Sequence, residues 1–409
     1  MKINSKNNYY ITKNKVNNKV LLAVFLILLS LIFSSFNIGQ VCAADDLVST
    51  DIQNKIEEQL GNINFGGFED ILNSLSDSQK GIFENKSFFE IIKDIVSGEI
   101  SLDFSSVFKL IISVFVNSII KILPVICSII GIAILSSIIT QTSYSKDKTV
   151  ADIVHFVCFG LIITVAFVSV KQVISLTTDT LLSLKTQMEI GFPILLTLMI
   201  SLGSTVSVSI YQPLVAVLSG SLMNIFTNFI MPLFVFCLVF SVAGNLSSNI
   251  KLNKFSSFFT SVFKWSIGLI FTIFTGFLAI QGITAASFDG LSIRTAKYAI
   301  KSYIPFVGSY LSDGLNLILT SSVLIKNAVG MAGLMLLFST VILPLINILI
   351  LKLGFLLCAS VLEPICDKRI TDFLSNLSKC LSMLIATICV AAFAYLITVG
   401  LIMCTSNIF

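Results

Sequence analysis

Histidine and tryptophan occur once each in this chain, as His155 and Trp265, and charged residues make up only 12% of it. A single histidine cannot form the HExxH pair of a zinc hydrolase, and no such motif is present. Neither a GxSxG nucleophile elbow nor a GxxxxGK[ST] phosphate loop occurs. Serine-hydrolase chemistry and ATP hydrolysis by this chain are therefore not expected. The nine cysteines include no CxxC pair. Cys127, Cys158, Cys237, Cys358, Cys389 and Cys404 sit in or beside apolar runs, where a thiol behaves as a small hydrophobe. No catalytic set, metal site or cofactor is expected. His155 opens an apolar run and reads as a helix-end residue rather than a proton relay.

What is abundant is hydrophobic: 55% of 409 residues, with a mean hydropathy of +0.96. Soluble domains carry about twice this share of charge. Runs near the length of a bilayer crossing recur along the chain, so the fold class is all-α, a polytopic helical membrane protein. The net charge of +4 is unevenly spread. Lys2, Lys6, Lys13, Lys15 and Lys19 precede an apolar run over 20–33 and the small residues Ala43 and Ala44, the layout of a signal peptide over 1–44 cut after Ala43 or Ala44.

Residues 45–103 then hold thirteen acidic residues against four lysines. Ile52, Ile56 and Leu60 share one helical face, and Phe68, Ile71, Leu72 and Leu75 another. Ser87 and Glu90 form a capping box that opens a third helix, which Gly98 ends. This block reads as a small helical extracytoplasmic module, too short to bury a large core alone. Its acidity suits protein contact and opposes nucleic acid. Residues 104–121 read as an amphipathic, interfacial segment.

The membrane domain, 122–409, shows internal duplication. The stretch 222–233, LMNIFTNFIMPL, recurs at 334–345 as LMLLFSTVILPL, with six of twelve positions identical. Pro193 precedes Pro232 by 39 residues, and Pro305 precedes Pro344 by the same 39. With Pro124, these prolines lie on a lattice of about 110 residues, which divides the domain near 122–218, 222–325 and 331–409. Six spans are expected, near 122–140, 153–170, 222–243, 265–285, 331–353 and 381–403. Two Pro-led stretches, 191–218 and 304–325, are apolar but interrupted. If both cross, there are eight spans and successive copies are inverted; if both are partial or re-entrant, there are six and the copies are parallel. Loop cations favour six: Lys146, Lys148, Lys251, Lys254, Lys264, Lys368, Arg369 and Lys379 fall on one side, against Lys171, Lys185, Arg294, Lys297 and Lys301 on the other.

The densest polar stretch of this domain is 281–326. Arg294, Lys297 and Lys301 recur at helical spacing and form one cationic face, suited to lipid headgroups or a docking partner. The alternative is a pore or substrate lining, with Asp313, Asn316 and Lys326 directed into a wet cavity. Pro124, Pro232 and Pro344 lie inside apolar spans and are candidate helix kinks, as in transporters or simply for packing.

Residues 285–330, AASFDGLSIRTAKYAIKSYIPFVGSYLSDGLNLILTSSVLIKNAVG, resemble the signature region of the stage III sporulation protein AE family of endospore-forming Firmicutes. The likeness extends over signal peptide, acidic block and apolar spans. It implies a non-enzymatic membrane subunit of the secretion-like channel complex between mother cell and forespore. It further implies the mother-cell-derived outer forespore membrane, with 45–103 in the intermembrane space. The partners it implies are an ATPase, small membrane subunits, intermembrane ring proteins, a forespore-side receptor and an insertase of the YidC type. It assigns no catalytic residue. A stand-alone secondary transporter and a non-conducting scaffold are the rival readings.

Overall fold

An apolar chain in a bilayer can satisfy its own backbone as helix, and in the computed structural model of the protein every regular element among the described residues is helical. The structure describes residues 50–61, 63–75, 77–83, 86–98, 104–144, 148–246, 253–303 and 308–405. The signal peptide read over 1–44 and the start of the acidic block lie outside them.

Four short helices come first: α1 (Thr50–Gly61), α2 (Gly66–Ser74), α3 (Asp77–Lys80), followed by a 3-10 turn, Gly81–Phe83, and α4 (Phe88–Ser97). The ends of α4 are local chemistry. The Ser87 hydroxyl accepts from the Glu90 N–H at 3.2 Å, and the Glu90 carboxylate accepts from the Ser87 N–H at 2.8 Å. Gly98, at φ 72°, closes the helix in a left-handed conformation that costs other residues strain.

Long helices follow: α5 (Phe104–Tyr144), α6 (Lys148–Ser201), α7 (Thr205–Ala216), α8 (Met231–Leu246), α9 (Asn253–Tyr303), α10 (Gly308–Leu362) and α11 (Lys368–Cys404). Between α7 and α8 the chain passes through two π segments, Val217–Leu222 and Phe226–Ile230, separated by one α turn. Among the described residues, six helices are long and apolar enough to cross a membrane. The protein is thus built as a multi-pass membrane protein.

Cross-contacts order these helices. Ser118 donates to Asn347 Oδ1 at 2.5 Å and Ser137 to the Ile365 carbonyl at 2.6 Å, so α5 runs parallel to α10. Phe159 meets Phe373 and Phe192 meets Tyr395, so α6 runs parallel to α11. Tyr211 touches Thr405, whereas Ser241 is hydrogen-bonded to Cys380, so the α7–α8 arm runs antiparallel to α11. Phe240 stacks on Phe255 and Phe259, making α8 and α9 a hairpin. Three hairpins, α5–α6, α7/α8–α9 and α10–α11, therefore point the same way. Their corners gather at one end of the molecule, beside Lys148, Lys254, Lys368 and Arg369. A like orientation of successive hairpins is what two crossings per unit requires.

Neither Pro-led stretch forms one continuous helix of its own. Residues 191–218 contain the end of α6, a break at Leu202–Ser204 with Gly203 at φ 78°, and α7 with the first π residues. In 304–325, residues 304–307 lie outside the described residues and the rest is the start of α10. At 1.5 Å per residue, the 54-residue α6 and 55-residue α10 are each about 80 Å long. The hydrocarbon core is about 30 Å thick. More than half of each helix must therefore stand outside it. The exposed apolar side chains of α6 are densest from Ile153 through Val168, nearest the cationic corners, and thin to Leu182 and Ile200 beyond Lys171, which assigns the projecting half to the side away from those corners.

The acidic block packs into that projecting half. Phe68 is 1% exposed and stacks on Phe88 at 4.3 Å, while its ring tip lies against Gly191, where a Cβ would come within 2.9 Å. Ile56, Leu60, Ile71, Leu72, Ile91 and Ile92 join one hydrophobic core with α6, α10 and α11. The apolar stripes of these short helices are covered by the bundle itself.

At the cationic end, His155 lies in the second turn of α6, 3.7 Å from Asp367 and stacked on Phe159. Cys366 donates to the Ala133 carbonyl at 3.4 Å. Burial pushes its thiol above the ordinary range, and the adjacent Asp367 carboxylate adds to this. Since the thiolate is the nucleophile, maleimide labelling of Cys366 will be slow at neutral pH and will accelerate as pH rises past the usual thiol range. Fast labelling at neutral pH in the folded protein would contradict this environment.

Candidate functional site

Polar side chains inside an apolar bundle are costly unless paired, and α10 carries a row of them. Ser321, Ser322, Lys326, Ser339 and Thr340 of that helix are all buried. Pro344 explains part of this seam. It has no N–H, so the Thr340 carbonyl loses its helical donor and the preceding turn is opened to side chains. There Gln79, from the acidic block, donates to the Ser339 carbonyl at 2.7 Å, and the Ser339 hydroxyl returns a bond to the Gln79 carbonyl at 3.3 Å. Gln187 of α6, fully buried, donates to Thr340 Oγ1 at 2.7 Å, and its own carbonyl oxygen has no partner. Nearer the start of α10, Ser321 and Ser322 reach Gln59 at 3.4 and 3.3 Å.

Lys326 has no solvent exposure. Its ammonium donates to the Met403 carbonyl at 3.1 Å and to the Thr405 carbonyl. These are the orphan acceptors at the C-terminus of α11, where the helix dipole favours a cation. Thr405 commits its hydroxyl proton to the Leu401 carbonyl at 2.7 Å, so it accepts from Tyr211 at 2.9 Å. Gly330 permits this closeness, since a Cβ there would fall 2.6 Å from Met403. Lysine, tyrosine and threonine thus tie α10 and α7 to the end of α11. The arrangement holds a helix end and contains no nucleophile–base pair.

The other residues singled out from the sequence are more dispersed. Arg294, Lys297 and Lys301 lie on the helical backbone of α9, and Asp313 on that of α10; their side chains are outside the described residues. Asn316 is half-buried on α10. Lys326, which the alternative pore reading directs into a wet cavity, faces a helix end. Pro124 and Pro344 lie within α5 and α10, and Pro232 is the second residue of α8, two residues past the end of the second π segment. Gln79, Gln187, Tyr211 and Thr405 carry no sequence signal beyond being polar groups in apolar surroundings. Among the described residues, no group of three or more His, Cys, Asp or Glu side chains could hold a metal ion.

The chain matches the family model of stage III sporulation protein AE over residues 86–406. It is 24% identical over 263 residues to the stage III sporulation protein AE of Bacillus subtilis (strain 168). That alignment covers 64% of this chain and 66% of the relative, so the chain spans about two thirds of the curated relative's length. No solved structure matches.

Proposed function

Because this chain belongs to the stage III sporulation protein AE family, we propose that it serves endospore formation as a non-enzymatic membrane subunit of the channel complex joining mother cell and forespore. The observation that carries this reading is the pairing of that family match with six helices fit to cross a bilayer. In this reading the bundle sits in the mother-cell-derived outer forespore membrane. The cationic corners face the mother-cell cytoplasm, in keeping with the positive-inside rule, where an ATPase would act. The acidic block stands in the intermembrane space, beside ring-forming proteins, and an insertase of the YidC type assists insertion. Three like-oriented hairpins, each carrying a proline in or at the start of an apolar helix, fit an origin by duplication of one two-crossing unit.

The packing of the acidic block dictates the test. Deleting the block would remove part of the bundle's core, so its outer face must be altered instead. Glu57 and Asp70 are exposed, and the Glu57–Lys93 ion pair is a surface one worth little. Replacing Glu57 and Asp70 together with lysine should leave membrane content and thermal stability unchanged. It should sharply reduce both spore yield and co-purification of the intermembrane ring partners. Undiminished co-purification, or surface labelling that puts the block on the cytoplasmic side, would refute the assignment.

A further inference from the structure

We propose that the proline break of α10 is a binding site for one water molecule, held between Gln187 of α6 and Thr340. The polar seam runs short of hydrogen-bond donors at this point. Gln187 has no solvent exposure; its Nε2 donates to Thr340 Oγ1 at 2.7 Å, and its Oε1 has no partner among the described residues. The Thr340 carbonyl has lost its helical N–H to Pro344. Two acceptors are thus enclosed around one threonine, and a buried acceptor left unmade is costly.

The hydroxyl of Thr340 is the second observation. Thr177, Thr387 and Thr398, all buried, each return their proton to the carbonyl four residues earlier, at 2.8, 3.0 and 2.9 Å. Thr340 makes no such bond among the described residues; its oxygen is engaged by Gln187 and its proton is left to give. The break therefore presents two acceptors and one donor. Water, with two hydrogens and two lone pairs, answers that set with about three bonds, the usual number for a buried water. Turning the Gln187 amide end for end does not balance it. Oε1 then takes the Thr340 proton, but two Nε2 hydrogens need acceptors and the Thr340 carbonyl supplies one.

Charge selects a neutral guest. Gln79, Gln187, Ser339 and Thr340 carry none, so a metal ion or an ammonium would be enclosed without a counter-charge. The nearest carboxylate along α6, Glu189, is exposed and faces Lys185 at 3.7 Å. Room comes from the proline, whose ring pushes the preceding turn open, and such kinks are where water enters a helical ladder. The bound water restores at the break a bond that Pro344 removed and ties it to α6. With Gln79 on the adjacent Ser339 carbonyl, α6, α10 and the acidic block meet at one hydrated joint.

The test is an experimental structure of the full-length protein in lipid nanodiscs, at a resolution that shows ordered water. One peak is expected within hydrogen-bond distance of the Gln187 amide, Thr340 Oγ1 and the Thr340 carbonyl. A second readout uses Met188, wholly buried beside Gln187. X-ray radiolysis makes hydroxyl radicals from bound as well as bulk water, so Met188 should be oxidised in the parent protein. Gln187→Leu should slow that oxidation about fivefold by removing the water's anchor, while Met199, also wholly buried on α6, keeps its rate. The proposal is overturned by no peak, by a peak with the short, many-sided contacts of a metal ion, or by a Gln187 amide bonded straight to the Thr340 carbonyl. An unchanged Met188 rate in Gln187→Leu would overturn it as well. Neither readout involves spore formation or another subunit, so the outcome is separate from that of the sporulation role.

Discussion

Phe68→Ala will release the acidic block from the bundle. The ring is almost wholly buried between Phe88 and the Gly191 backbone, and removing a buried phenylalanine costs about 3–5 kcal/mol. Unfolding of the purified protein in detergent should shift by that amount. Protease should then cut within residues 62–87 of the variant under conditions that spare the parent. Gly191→Ala supplies the partner half of the experiment. Its new methyl would lie 2.9 Å from the Phe68 ring tip, and stacking on Phe88 limits how far the ring can yield. Gly191→Ala should be destabilising alone and close to neutral in the Phe68→Ala background, a non-additivity expected only of residues in contact. Equal costs in both backgrounds would show that the block does not dock there.

Lys326→Met should loosen the end of α11 rather than alter any conduction. Methionine keeps much of the side-chain volume but leaves the Met403 and Thr405 carbonyls without their donor. Leaving buried acceptors unmade costs about 1–3 kcal/mol each, partly offset because an ammonium no longer has to be buried. A net loss of about 2 kcal/mol is expected. Amide exchange should quicken in the last turns of α11, while α4 and the corner beside Asp367 keep their protection. Lys326→Arg should fail to restore it, because a planar guanidinium does not replace a wholly enclosed ammonium at the same two carbonyls. Unchanged exchange at the end of α11 would contradict the capping role.

Local features were legible from residue order. The Ser87–Glu90 box and Gly98 set the ends of α4 because each acts within one helical turn. The number of crossing helices followed from apolar length, and the shared direction of the hairpins agrees with where the loop lysines fall. The polar midsection of α6 and the polar start of α10 were harder, since hydrophobicity falls there and a helix running on past the bilayer looks like a loop or an interrupted span.

What residue order determined by itself is that this chain is helical, apolar enough to enter a membrane, charged at its corners and opened by an acidic, capped block. Tertiary structure alone decided that Phe68 packs on Gly191, that Gln79 clasps Ser339 and that Lys326 caps α11 rather than facing a cavity. The reason is physical. A helix apolar on every side has no amphipathic phase, so its sequence does not say which face meets lipid and which meets protein. Contacts such as Gln79 with Ser339, 260 residues apart, arise only when whole helices pack and the few polar groups must find one another.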